Sequence, residues 1–85
     1  MKAVITVVGK DKTGIIAKVS NVLYQNDINI LDISQTIMND MFTMIMMVEG
    51  AESKNASKEL DAIAAEMGLS IHFQNEEVFS SMHRI

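Results

Sequence analysis

Asp11, Thr13 and Gly14 fall in one short run, Gly9-Lys-Asp-Lys-Thr-Gly-Ile-Ile-Ala-Lys18, at the junction between an apolar segment and an amphipathic one. A carboxylate, a hydroxyl and two glycines there crowd the point where the first N–H groups of a helix lack intrahelical partners. Such a turn offers backbone donors and the positive end of a helix dipole to an anionic group, a carboxylate or a phosphate. This is chemistry for holding a small ligand. Chemistry for transforming one is harder to find. The chain has no cysteine, so thiolate nucleophiles, disulfides and thiolate metal sites are excluded. Neither His72 nor His83 stands near an evident serine partner in the chain, and the H-x-H and H-x₃-H spacings of a metal pair do not occur. The expectation is therefore not an enzyme, with no metal and no cofactor.

The elements that must position this run come from a chain of 85 residues, suited to a single domain. Such a chain buries roughly 60–65% of its unfolded surface. Hydrophobic residues make up 48% of it, enough for a core. A net charge of −4 and a pI near 4.9 argue against nucleic acid, whose binding energy comes largely from Lys and Arg on phosphates. Met1-Lys-Ala-Val-Ile-Thr-Val-Val8 is interrupted by Thr6 and followed by Lys10-Asp11-Lys12, unlike a secretory signal. No segment reaches the ~18 apolar residues of a membrane span. The expected setting is cytoplasmic.

Residues 3–8 are rich in β-branched side chains and apolar on both faces, a strand. Ile15, Ile16, Val19, Val22 and Leu23 then form a helical stripe, with Thr13 the expected N-cap and Gln25-Asn26-Asp27 its close. Residues 28–38 and 41–49 read as two strands joined at Asn39-Asp40, residues that tolerate the positive φ of a two-residue hairpin turn. In the first of them Leu31, Ile33 and Ile37 alternate with Asp32, Ser34 and Thr36. In the second, Phe42, Met44, Met46 and Val48 point one way and Met41, Ile45 and Met47 the other. A second helix, capped by Ser53 or Asn55, carries Leu60, Ile63, Ala64 and Met67 and ends at Gly68. Residues 69–75 alternate strictly. Val78, Phe79, Met82 and Ile85 then have the spacing of a short amphipathic helix.

The order βαββαβ implies an α+β fold, a ferredoxin-like sandwich over residues 1–75 with two helices on one face of an antiparallel sheet, and a helical extension over 76–85. Strands one and three, apolar on both faces, belong in the centre of a 4-1-3-2 sheet. The second sheet face would then carry Val4, Val8 and one set of third-strand apolar residues, a patch that usually marks an interface. The C-terminal helix or another subunit must cover it, and the helix is the expected cover.

With this order and this turn, the chain resembles the ACT domain family of small amino-acid-binding modules. Val7-Val8-Gly9-Lys10-Asp11-Lys12-Thr13-Gly14-Ile15-Ile16-Ala17 and, further on, Ile28-Asn29-Ile30 are similar to the family's strand, D-x-x-G-[IVL]-[IVL], helix, N-I pattern. The chain also resembles the modules of the glycine cleavage system transcriptional repressor and small bacterial ACT proteins ending in a short helix. The resemblance implies a homodimer or higher homo-oligomer joined at edge strands, an amino acid bound at the seam, and a regulated protein partner. Carried over, the ligand-binding residues are Asp11, Thr13, Gly14, Ile15 and Asn29. Asp11 or nearby backbone would face the ammonium, N–H groups near Gly14 the carboxylate, and Asn29 either group across the seam. Some serine-binding members have histidine where this chain has Gly9 and asparagine where it has Asp11, so the likeness does not extend to a serine ligand.

Each of these residues also has a plain structural role. Gly14 suits a tight turn, Asp11 a helix start, and Asn29 a strand entry. Their expected convergence at one end of the first helix is what favours a site. Other functions of the fold fail on named residues. A phosphate-clamping first-loop arginine is missing, since the single arginine is Arg84. A metal-carrying C-x-x-C loop is absent, and only Phe42 could serve as a base-stacking aromatic on the central strands. Two readings follow: a stand-alone regulatory domain that binds a small molecule, or an oligomerisation or protein-interaction module without a working ligand site.

Overall fold

In the computed structural model the elements run β1 (Lys2–Lys10), α1 (Ile15–Gln25), β2 (Asn29–Met38), β3 (Met41–Glu49), α2 (Lys54–Met67) and β4 (Leu69–Asn75). The structure describes residues 1–50 and 54–75; the helix expected over 76–85 and the expected cap Ser53 lie outside them. Asn55, the other expected cap, lies inside α2. The four strands form one antiparallel sheet of order β2-β3-β1-β4. This is the expected ferredoxin-like order, counted from the opposite edge.

β1 and β3 are central because they alone can bury both neighbours. Ala3, Ile5 and Val7 lie opposite Val48, Met46 and Met44 across the sheet. These residues join Ile15, Val19, Val22 and Leu23 of α1 and Leu60, Ile63 and Met67 of α2 in one cluster, each at most 9% exposed. That assigns the Phe42–Val48 set of third-strand side chains to the helix-covered face. Val4, Thr6, Val8, Ile45 and Met47 take the other face by the period of two. Burying each aliphatic side chain of the cluster contributes about 1.5–3 kcal/mol, so this double-sided pairing holds the fold together.

The ends of the elements are built from backbone conformations few residues accept. α1 closes in a Schellman motif: Ile28 N–H donates to Leu23 O at 2.9 Å and Asp27 N–H to Tyr24 O at 3.2 Å, with Asp27 at φ 57°. Leu23 and Ile28 are both buried, supplying the apolar contact of that motif. α2 ends at Gly68, φ 67°, as expected. Asn39 and Asp40, at φ 51° and 68°, make the two-residue hairpin turn.

β2 departs from the expected alternation. All ten of its residues are exposed, because it is an edge strand largely beyond the reach of the helices. Its register shifts between Ile30 and Asp32, leaving Leu31 as the extra residue of a bulge. Ile30, rather than Leu31, therefore shares the helix-covered face with Ile33 and Ile37. The Asp32 carboxylate turns back at the bulge and accepts the Ile33 N–H at 2.9 Å.

Candidate functional site

β1 ends at Lys10 and α1 begins at Ile15, so Asp11–Gly14 span the gap between the sheet and the helix layer. Two contacts fix this loop. Asp11 N–H donates to Asp40 O at 2.7 Å, tying it to the hairpin turn. Lys12 Nζ donates to Met67 O at 2.8 Å, placing a cation on the negative end of the α2 dipole. Neither partner was legible from local sequence. Asp40 reaches Asp11 because β1 and β3 are antiparallel neighbours, which sets Lys10 opposite Met41.

Gly14, not Thr13, is the N-cap of α1. Its φ of 90° is left-handed, and no side chain caps the helix start. A β-branched threonine there would be strained, so the left-handed step is taken by glycine and Thr13 is left exposed. The consequence is chemical. The N–H groups of the first turn of α1 have no capping side chain to accept them, and a Cβ built on Gly14 would meet nothing within 4 Å. Donors and open space coincide there. Lys10, Asp11, Lys12 and Asp40 stand exposed around them. A group bearing both an anion and a cation fits such a mixed rim.

Ile15 is different. Its side chain is 2% exposed and belongs to the core, leaving only its backbone to reach a ligand. Gly9 is enforced by packing, since a Cβ there would stand 2.5 Å from Leu69 Cδ2 and 3.2 Å from Leu69 Cα. A histidine at that position is therefore incompatible with β4 as it lies.

The expected convergence of Asp11, Gly14 and Asn29 does not occur within one chain. Asn29 opens β2 opposite Glu49, at the far end of α1 from Gly14. The 11 residues of the helix put roughly 16 Å between those ends. Asn29 is exposed and lies at the sheet edge.

On β4, Ser70 Oγ lies 3.2 Å from His72 Nε2, a pairing whose only signal in the sequence is the i, i+2 spacing that puts both residues on one strand face. Both side chains are exposed. A solvated pair of this kind lacks the held orientation that nucleophilic catalysis requires. Among the described residues, no group of three or more His, Cys, Asp or Glu side chains gathers to hold a metal, and no helix is long and apolar enough to cross a membrane.

The model of the ACT domain matches residues 2–74. A UPF0237 protein of Clostridium acetobutylicum is 52% identical, with both chains covered over their full length. Among solved structures, an ACT domain protein from Streptococcus pneumoniae superposes with a TM-score of 0.78 at 40% identity, covering 93% of each chain. A proposed glycine cleavage system transcriptional repressor superposes with a TM-score of 0.71 at 25% identity, over 86% of this chain and 44% of its own.

Proposed function

Since this chain belongs to the ACT domain family, as the likeness in its sequence implied, we propose that it is a regulatory module that pairs two copies along β2 and takes an amino acid at the seam. The observation that carries this is the separation of Asn29 from Gly14. Antiparallel pairing of two identical edges reverses one copy end for end. It thereby brings the Asn29 end of each strand to the Gly14 end of the other.

The free edge of β2 suits such pairing. A two-residue turn closes on a hydrogen-bonded pair, here Met38 and Met41. Counting back by twos, Ser34 and Thr36 bond to β3, whereas Ile33, Gln35 and Ile37 direct their amides outward. The Ile33 N–H turned to its own neighbour's carboxylate agrees with this phase. A two-fold axis at Gln35 sets Ile33 opposite the partner's Ile37, matching side chains that are 43% and 54% exposed in one chain. Ile16 and Tyr24 on the outer side of α1 are exposed as well and extend the apolar seam. In this register Asn29 falls level with the partner's hairpin turn, to which Asp11 is bonded.

In the assembled site, first-turn N–H groups of α1 take the ligand's carboxylate, Asp11 its ammonium, and Asn29 of the other copy whichever group it meets. Each charge-assisted hydrogen bond contributes ~1.5–3 kcal/mol before ordering costs. The module has no reaction of its own to catalyse. Occupancy acts by favouring one associated state of the protein, and so of a regulated protein partner, over another. A cytoplasmic setting belongs to the same proposal.

A thermal-shift screen against the proteinogenic amino acids tests it. A ligand at 100 times its dissociation constant adds ~2.7 kcal/mol of stability. Asp11→Ala and Asn29→Ala should each abolish the shift. Mixing the two variants should restore it, because each mixed dimer holds one seam site with both residues intact. Failure of the mixture to respond would place the site within one chain or elsewhere. The exposure of β2 along its whole length also favours a second reading, an oligomerisation module without a ligand; a stable dimer whose midpoint no compound moves would select it.

A further inference from the structure

We propose that the sheet face turned away from the helices is an intramolecular docking surface, covered by residues 76–85 of the same chain. The first observation is Val4. It lies on that face, outside the helix-side core, yet is only 2% exposed. Its neighbours across the strands, Met47 and Gln74, are themselves half-buried. Exposure on this face rises with distance from Val4: Ile45 is 44% exposed, Met41 47% and Met38 67%. A cover centred on Val4 explains that gradient, whereas a solvated sheet face or a broad interface along β2 does not.

The second observation is where the chain leaves the sheet. β4 ends at Asn75, opposite Ala3 and one residue past Gln74, which pairs with Val4, so the chain leaves the sheet at the Val4 end of β1. Ten residues follow. β4 runs antiparallel to β1 and exits at the Val4 end, so the chain must first double back. With two residues in that reversal, the eight from Val78 onward reach about 12 Å as a helix, close to the ~13 Å from Val4 to Val8 along β1. Val78, Phe79, Met82 and Ile85 fall on one side of such a helix, and Ser80, Ser81 and Arg84 on the others. The apolar side lies on Val4, Val8 and Met47, and the polar side faces water. The edge of β2 stays free, so docking and pairing of copies are separate properties.

The absence of cysteine makes one engineered cysteine unique. A nitroxide on Ser81→Cys, on the polar side, should broaden the methyl resonances of Val4, Val8 and Met47 several-fold more than those of Val22 and Ile63 in the helix layer. When spin-labelled chains without isotope are mixed with isotope-labelled chains without nitroxide, that broadening should vanish. Equal broadening of both layers, or none at the sheet face, would overturn the proposal. Broadening that persists in the mixture would also overturn it, assigning the cover to a second copy.

Discussion

Gly9→Ala tests whether the first loop is held where the sheet requires it. The new Cβ would stand 2.5 Å from Leu69 Cδ2, 3.2 Å from Leu69 Cα and 3.3 Å from Gly68 O. The methyl can swing aside, but the backbone atoms of β4 cannot move without disturbing its pairing with β1. Overpacking of this kind costs typically 1–3 kcal/mol. A loss of about 2 kcal/mol would lower the melting temperature of a domain this size by roughly 8–16 °C. Leu69→Val removes the clashing methyl and by itself costs about 1 kcal/mol. In that background Gly9→Ala should cost only about half as much, the backbone contacts remaining, which is a coupling near 1 kcal/mol. Urea unfolding followed by circular dichroism, at one fixed protein concentration, measures all four forms. If Gly9→Ala falls within ~0.5 kcal/mol of the parent, Gly9 is not there for close approach to β4; if the two losses simply add, the Leu69 methyl is no part of the clash.

Asp27→Gly should stabilise the chain by about 0.5 kcal/mol, since the left-handed conformation costs an ordinary residue ~1–2 kcal/mol and glycine returns part of that as unfolded-state entropy. The same urea titration reads it. Gly14→Ala should destabilise by about 1–2 kcal/mol through its φ of 90° alone, with no clash, and should weaken any amino-acid-induced shift in melting temperature. Gln35→Pro removes an outward donor and should shift sedimentation from dimer to monomer while leaving the fold intact, whereas Ser34→Pro breaks a bond to β3 and should lower the melting temperature. Lys12→Met should cost about 0.5–1 kcal/mol by removing the cation from the end of α2, a loss that high salt should shrink.

Much of the architecture was legible in one dimension because period and composition are local. The double-sided apolar runs of β1 and β3 marked them as central strands. Asn39-Asp40 marked a hairpin, and Gly68 a helix end, because few residue types accept positive φ. The bulge at Leu31 was not legible: nothing in Ile30-Leu31-Asp32 says which residue the ladder will skip, and that choice depends on Met47 and Val48 across the sheet. Thr13 looked like a cap on residue type, but the left-handed step at Gly14 decided otherwise.

The candidate site divides along the same line. Asp11, Gly14 and the helix start are close in the chain, and the sequence by itself brought them together. Contacts distant in the chain are set by register and by which elements become neighbours, so only the folded molecule could join Asp11 to Asp40, brace Lys12 on Met67 and separate Asn29 by the length of α1. Local preferences act over a few residues through backbone sterics and side-chain spacing. The shape of a binding surface comes from pairings across the sheet, whose free energy is shared among residues far apart in sequence.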